Sequence, residues 1–383
     1  MHRRNLLGRA LLVPGGILIG LLLGEGLVRI LRPSFPLMVP WADFSYGIRT
    51  MAPNVRGRFV VPTAYDTTIS TNSQMFRGRE EYQLSPRPGV SRLALLGDSM
   101  TFGEGVNDDE TYPARLGRAL DSSVGPGRVE VLNAGIVGAG TGEEAWWFDV
   151  WVKRFHPSVV VLNVYGNDVD DDLARSPFLI DKTGRVSPRS MEEVTSASRP
   201  LQKVRHLLRA LPGYFFLAQH SQLVNLLRTM IQEDWGRARK GGSSDRLTPL
   251  QIEYTHGLYR SKGLPLLAAE IAWLQERAQG SVAKLVVVYL PTREDIHGPS
   301  GLEADEVRWK SAAIASSLKE TCFRLGIPFT DLTPQVRQEA ARHPGMLYYN
   351  VWGDNLHANR EGARVFAEAV AAFLIQEGIV AKE

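Results

Sequence analysis

Cysteine is almost missing from this chain: Cys322 is the only one in 383 residues. One thiol excludes an internal disulfide framework and argues against a zinc-thiolate centre, but it says nothing against export. Net charge is nearly missing as well. A formal charge of +3 on a chain of this size gives no case for nucleic-acid binding. Internal repeats and low-complexity tracts are also lacking. What remains is ordinary globular composition, 44% hydrophobic and 22% charged. The length suffices for one large α/β domain with additions, or for two modest domains.

Residues 1–32 differ from the rest. His2, Arg3, Arg4 and Arg9 precede an apolar run from Ala10 to Val28, long enough to span a bilayer. Pro14 and the glycines in it are tolerated in membrane helices. Glu25 is expected at the interface or against a partner, because a mid-bilayer charge is expensive. No small-x-small cleavage site follows the run, so it reads as an uncleaved single-pass signal-anchor rather than a signal peptide. The basic head then stays in the cytoplasm and the rest lies outside, although Arg29 and Arg32 weaken that bias. Residues 33–90 are rich in Pro, Gly, Thr and Arg, with strand-like Arg58–Val61 and Thr67–Thr71; they read as a small β extension.

From residue 91 onward apolar runs alternate with helical patterns. Expected strands are Arg92–Leu96, Val129–Leu132, Val159–Val164, Leu285–Leu290 and Pro328–Leu332. Expected helices include Thr141–Phe155, with Thr141 and Glu144 as a capping box, and Arg360–Gln376. Such alternation predicts a parallel sheet in a three-layer α/β/α sandwich. An insertion at about 174–281 interrupts it. Ser176–Pro200 reads as loop, and Leu201–Ile231 as amphipathic and basic through Lys203, Arg205, Arg209 and Arg228. Gly241–Ser244 reads as a flexible break and Leu250–Gln279 as helical. The insertion is either a cap that shapes a site or meets an anionic membrane, or a solvated subdomain.

The chemistry gathers at strand ends. Ser99 follows the run Leu93–Leu96, where open α/β sheets place their ligand crevice. A serine hydroxyl needs a base, for which His357 is the candidate, and Asp354 lies three residues before it to orient the ring. The backbone N–H groups of Ser99 and Gly138 and the Asn167 amide are suitable oxyanion donors. Asp98 is expected to hold the turn rather than react, with Gly97 and Gly166 as supporting positions. Gly135 reads as a turn glycine. Asp168, Asp170, Asp171 and Asp172 read as a solvated acidic loop rather than a cation site. Trp146, Trp147 and Trp151 read as core, and Cys322 as a buried small hydrophobe.

These stretches resemble the SGNH (GDSL-like) hydrolase superfamily. Gly97-Asp98-Ser99-Met100 resembles block I, with Met100 where Leu is usual. Asn133 to Gly138 resembles block II, Gly166-Asn167-Asp168 block III, and Asp354-Asn355-Leu356-His357 block V. The Gly-x-Ser-x-Gly elbow of ordinary α/β-hydrolases is absent. The resemblance implies a flavodoxin-like sheet and a serine esterase that hydrolyses an acyl or acetyl ester through an acyl-enzyme. It implies Ser99, His357 and Asp354 as triad, and no metal or organic cofactor. The expected partners are an acylated glycan or lipid and the membrane. Two other readings stand beside it: an O-acyltransferase of envelope polysaccharide, and a non-catalytic glycan- or lipid-binding module.

Overall fold

The five apolar runs form one parallel sheet. The computed structural model describes residues 2–31, 42–61, 64–189, 211, 213–227, 230, 249–298, 304–350 and 356–381. Before the sheet come helix α1 (His2–Leu31) and two antiparallel hairpins, β1 (Ala42–Ser45) with β2 (Ile48–Met51) and β3 (Arg56–Val61) with β4 (Tyr65–Ser70). The sheet strands are β5 (Ser91–Leu96), β6 (Val129–Asn133), β7 (Val159–Val164), β10 (Lys284–Tyr289) and β11 (Phe329–Asp331), in the order β11-β10-β7-β5-β6. Counted along the chain this is the 2-1-3-4-5 order of flavodoxin-like sheets, whose direction switches between the first and third strands. A crevice therefore opens beyond the carboxyl ends of β5 and β7. Helices between the strands are α2 (Ser99–Phe102), α3 (Tyr112–Val124), α4 (Thr141–Val150) and α5 (Asp168–Arg175).

Alternation with period two divides the strands between two cores. Ala94, Leu96, Leu162 and Val287 point to one face. There Trp147 and Phe148 of α4 pack with Leu267, Ile271, Ile314 and Cys322. Leu93, Leu95, Val161 and Val288 point to the other, against Leu116 and Leu120 of α3 and Val336, Phe366 and Val370. Cys322 is fully buried, so it behaves as a small apolar side chain.

Among the described residues the insertion holds a hairpin, β8 (Phe178–Ile180) with β9 (Val186–Pro188), then α6 (Tyr214–His220), α7 (Pro249–Leu258) and α8 (Leu264–Gly280). The hairpin corrects part of the expected loop Ser176–Pro200. Helix over 250–279 holds, with a π-helical turn at Tyr259–Gly263. Lys203, Arg205, Arg209, Arg228 and Gly241–Ser244 lie outside the described residues. The chain ends through α9 (Arg293–His297), α10 (Ala304–Leu325), α11 (Thr333–Arg342) and α12 (Arg360–Gln376).

Two further expectations need correcting. The helix over Thr141–Phe155 stops at Val150, and Val152–Phe155 is a 3-10 turn. At this break the Trp151 indole donates from Nε1 to the Gln74 carbonyl at 3.0 Å and stacks on Trp147. Thr141 is not a cap: Gly140 occupies the N-cap position, and both Glu144 carboxyl oxygens lack hydrogen-bond partners among the described residues. No helix among the described residues is long and apolar enough to cross a membrane. Within α1, Glu25 and Arg29 form an ion pair at 2.7 Å. Glu25 does meet a partner. Its carboxylate accepts from the Ser221 hydroxyl and from the backbone N–H groups of Gln222 and Leu223, capping the helical segment at 222–227.

Candidate active site

Ser99 opens α2 at the end of β5. The Asp98 carboxylate accepts from the Met100 backbone N–H at 2.8 Å, which caps that short helix and fixes the turn, as expected of this aspartate. The Ser99 hydroxyl lies 2.8 Å from His357 Nε2, and both residues are buried. Residues 258 apart in sequence are thus brought within hydrogen-bond reach. His357 is held from behind: its carbonyl accepts from the Asn350 N–H at 2.9 Å, Tyr349 bridges Ala358, and the Tyr165 hydroxyl donates to the Leu356 carbonyl. Asp354 lies outside the described residues. A carboxylate that spacing did not single out stands beside the ring, Glu104, with Oε2 3.8 Å from Nε2. Its only sequence signal is its place just after α2.

The strand exits on either side of β5 carry the other two motifs. Asn133 to Ile136 is stitched onto the serine turn: Ala134 N–H donates to the Leu95 carbonyl, Ile136 N–H to the Gly97 carbonyl, and Asn133 Nδ2 to the Phe102 carbonyl. A Cβ on Gly135 would run into the Phe102 backbone nitrogen, so this glycine serves close approach. Gly138 sits at φ +70°, a conformation that costs a side-chain-bearing residue. Gly166 comes up against the Thr292 methyl group, and Asn167 follows at the N-terminus of α5.

Two arginines bind these loops together. Arg49, from hairpin β1–β2, donates to the Val137 carbonyl at 3.2 Å, and Arg175, at the end of α5, donates to the Gly138 carbonyl. Arg175 also pairs with Asp171 at 2.6 Å, and Asp171 accepts from the Asn167 amide at 2.9 Å. Gly138 and Asn167 are therefore joined through Arg175 and Asp171. Glu143 ties in the hairpin by accepting from the Arg49 N–H at 3.1 Å. Sequence reasoning missed Arg49, Arg175 and Glu143, because each acts through partners far away in the chain. The expected solvated acidic loop is in fact helix α5. Asp168 and Asp172 are buried, Asp170 pairs with Lys310, and Asp171 with Arg175. Among the described residues no group of three or more His, Cys, Asp or Glu side chains is placed to hold a metal ion. Trp147 is core as expected. Trp146 and Trp151 are half-buried and donate to the Tyr46 and Gln74 carbonyls of the N-terminal region.

Behind the Gly138 and Asn167 loops lies a set of buried carboxyl groups. Burial pushes Glu144, Asp168 and Glu270 well above the usual carboxylate range, Asp172 up to about 7 and Asp98 up to about 6. Among the described residues Asp172 Oδ2 and Glu270 Oε2 are buried with no donor, an arrangement that one proton shared between the two carboxyl groups would satisfy, and Asp172 also accepts from the Gly142 N–H at 2.9 Å. Kept neutral, Glu144, Asp168 and Glu270 add no repelling charge behind these loops. The sign for stability follows. Each such group binds its proton more tightly folded than unfolded, so its contribution is full below the unfolded pKa and is lost as pH rises through the folded one. For Asp172 that window runs from about 4, the ordinary aspartate value, to about 7. In Asp172→Asn the amide oxygen still accepts from Gly142 and the NH2 supplies the missing hydrogen to Glu270. Thermal unfolding between pH 5 and 8 is therefore expected to fall less steeply in the variant than in the parent. A steeper fall would refute the shared proton.

A family model described as the GDSL-like lipase/acylhydrolase family matches residues 95–365. No curated protein sequence matches the chain. Among solved structures, one is similar at 17% identity and a TM-score of 0.40. It is an α/β hydrolase enzyme from the metagenome of Lake Arreo, Spain, and the match covers 74% of this chain and 94% of that one. An acetylxylan esterase from Geobacillus stearothermophilus is similar at 14% identity and a TM-score of 0.42, over 76% and 96%. The aryl esterase of M. smegmatis is similar at 14% identity and a TM-score of 0.39, over 74% and 97%. With the family model spanning the serine turn, both flanking loops and His357, the chain belongs to the GDSL-like lipase/acylhydrolase family and is a serine ester hydrolase.

Proposed function

We propose that the protein cleaves an acyl or acetyl ester with Ser99 as nucleophile and His357 as base. The observation that carries this reading is the 2.8 Å contact between the Ser99 hydroxyl and His357 Nε2 at the carboxyl edge of the sheet. As the hydroxyl attacks the ester carbonyl, Nε2 takes its proton and later returns it to the departing alkoxide. Asp354, by its Asp-x-x-His spacing, is assigned to orient the ring from the other nitrogen. The backbone N–H groups of Ser99 and Gly138 and the Asn167 amide are assigned to the oxyanion. Water then attacks the acyl-enzyme, with His357 again as base.

Transfer of the acyl group to a glycan hydroxyl uses the same first half-reaction, so the acceptor decides between hydrolase and transferase. The test is a series of p-nitrophenyl esters of increasing chain length, run beside mass spectrometry after a serine-directed phosphonate. Turnover with water and one adduct on Ser99 are the expected results. An adduct without turnover would move the reading to acyl transfer. A folded protein with neither would leave a binding module.

Placement of the enzyme outside the cytoplasm belongs to the same proposal. It rests on the basic head and the apolar run Ala10–Val28, and on the exposed Ile17, Leu18, Leu22, Leu23, Leu27 and Ile30 of α1, a surface that calls for an apolar phase. Fractionation of cells, with protease added to intact spheroplasts, tests it. A wholly soluble, protease-shielded protein would refute it.

A further inference from the structure

A cavity of about 450 Å³ opens at Gly105, one residue beyond Glu104, and its lining mixes polar side chains with Tyr65, Val106 and Leu347. One wall is the N-terminal hairpin, through Tyr65 and Asp66 of β4. The floor is Gly105, and the far side is Asn350 with Asn359 and Arg360 at the start of α12. Its link to the reacting groups runs through bonded neighbours. Glu104, next to Gly105, donates its N–H to the Ser99 carbonyl and holds its carboxylate 3.8 Å from His357 Nε2, while the Asn350 N–H is bonded to the His357 carbonyl. The volume is that of a small-molecule subsite.

Two features of this cavity call for a ligand. The Asn350 side chain is buried, yet its Nδ2 donor has no hydrogen-bond partner among the described residues. A buried, unsatisfied amide is costly to keep unless something supplies an acceptor. The second feature is the Tyr65 ring, which packs on Gly105 so closely that a Cβ there would lie 3.1 Å from two ring carbons. This leaves a flat aromatic wall beside amide, carboxylate and guanidinium groups. An acyl chain would find no continuous apolar lining here. A ring that is apolar on its faces and rimmed with hydroxyls matches both the aromatic wall and the polar groups.

We propose that this cavity is the alcohol subsite, and that it takes the sugar ring of an O-acylated carbohydrate. The Asn350 amide would donate to a ring hydroxyl oxygen, with Tyr65 against a sugar face. The hairpin β3–β4, which precedes the matched family region, then acts as a specificity element. This inference rests on the serine-esterase reading, and its test separates the two. The full chain and the variants Asn350→Leu, Tyr65→Ala and Arg360→Ala are assayed on monoacetylated methyl xyloside and methyl glucoside and on p-nitrophenyl acetate. The quantity read is the ratio of kcat/KM for sugar acetate to that for p-nitrophenyl acetate. Loss of a bound hydroxyl partner is expected to lower this ratio about tenfold in Asn350→Leu. Tyr65→Ala is expected to lower it as well. Arg360 is exposed, so its variant keeps the test open if the other two do not fold. Unacetylated methyl glycosides should also inhibit p-nitrophenyl acetate hydrolysis competitively in the parent. A ratio unchanged in every folded variant, or no inhibition by any glycoside, would overturn the sugar subsite and leave the esterase standing. Absence of turnover on both ester types in the parent would overturn the esterase reading itself.

Discussion

Ser99→Ala is expected to lower kcat on its best ester by about ten-thousand-fold to a million-fold, the range seen when a triad nucleophile is removed. The only hydrogen bond of the Ser99 hydroxyl among the described residues is to His357 Nε2, so no other contact is lost with it. The turn itself rests on Asp98, whose carboxylate caps α2 through the Met100 N–H. The unfolding temperature of the variant should therefore stay close to that of the parent. The backbone N–H at position 99 survives as well, so some turnover above the uncatalysed rate should persist from oxyanion donors alone. Steady-state kinetics on purified parent and variant, with circular dichroism as the folding control, make the comparison. Activity within tenfold of the parent would remove Ser99 from its assigned role and reopen the non-catalytic reading.

The second large effect is expected at Asn167. Removing one oxyanion donor typically costs about a hundred- to a thousand-fold in kcat, because the lost hydrogen bond is made to charge that develops only in the transition state. Asn167→Ala should show that size of loss with KM little changed. The side effect to control for is Asp171, which accepts from the Asn167 amide and pairs with Arg175. Arg175 also holds the Gly138 carbonyl, so losing the amide could shift the second donor as well as delete the first. Asp171→Asn isolates this route: it disturbs the link from Asn167 to Arg175 yet leaves the Asn167 amide in place. If Asn167 is a donor, its alanine variant must fall well below Asp171→Asn in kcat. Equal losses would make Asn167 a positioning residue for the Gly138 loop. A loss confined to KM would take it out of the oxyanion site.

These two results probe opposite ends of what could be read without coordinates. The sheet was legible because its strands are buried on both faces, and continuous apolar runs such as Val159–Val164 have few other places to go. Both edges of Val159–Val164 agree with expectation, and the other strands differ by a residue or two at their ends. Ser99, Gly138, Asn167 and His357 were legible for a different reason. Each lies at the end of a run or in a short motif whose spacing is tied to local geometry, with the chemistry following from residue type.

Elements governed by contacts between distant segments were harder to read. A helical pattern over Thr141–Phe155 did not show that Trp151 would reach for Gln74 and end the helix early. The acidic run at 168–172 looked solvated. Only the packing of α5 under α4 and α8 revealed Asp168 and Asp172 as buried and proton-bearing. The spanning helix expected from hydropathy is not met among the described residues. Hydropathy does not register that Glu25 is committed to the backbone at 222–223.

The sequence by itself determined the fold class, the strand order's raw material and the kinds of groups available for acyl chemistry. These follow from local patterns of burial and from motifs a few residues long. Tertiary structure alone decided that Ser99 and His357 touch, that Arg49 and Arg175 brace the loop carrying Gly138, and that a hairpin ahead of the catalytic region walls a cavity at Gly105 and Asn350. Each of those contacts joins segments tens to hundreds of residues apart, and the side-chain packing that makes them leaves no periodicity in the chain to announce it.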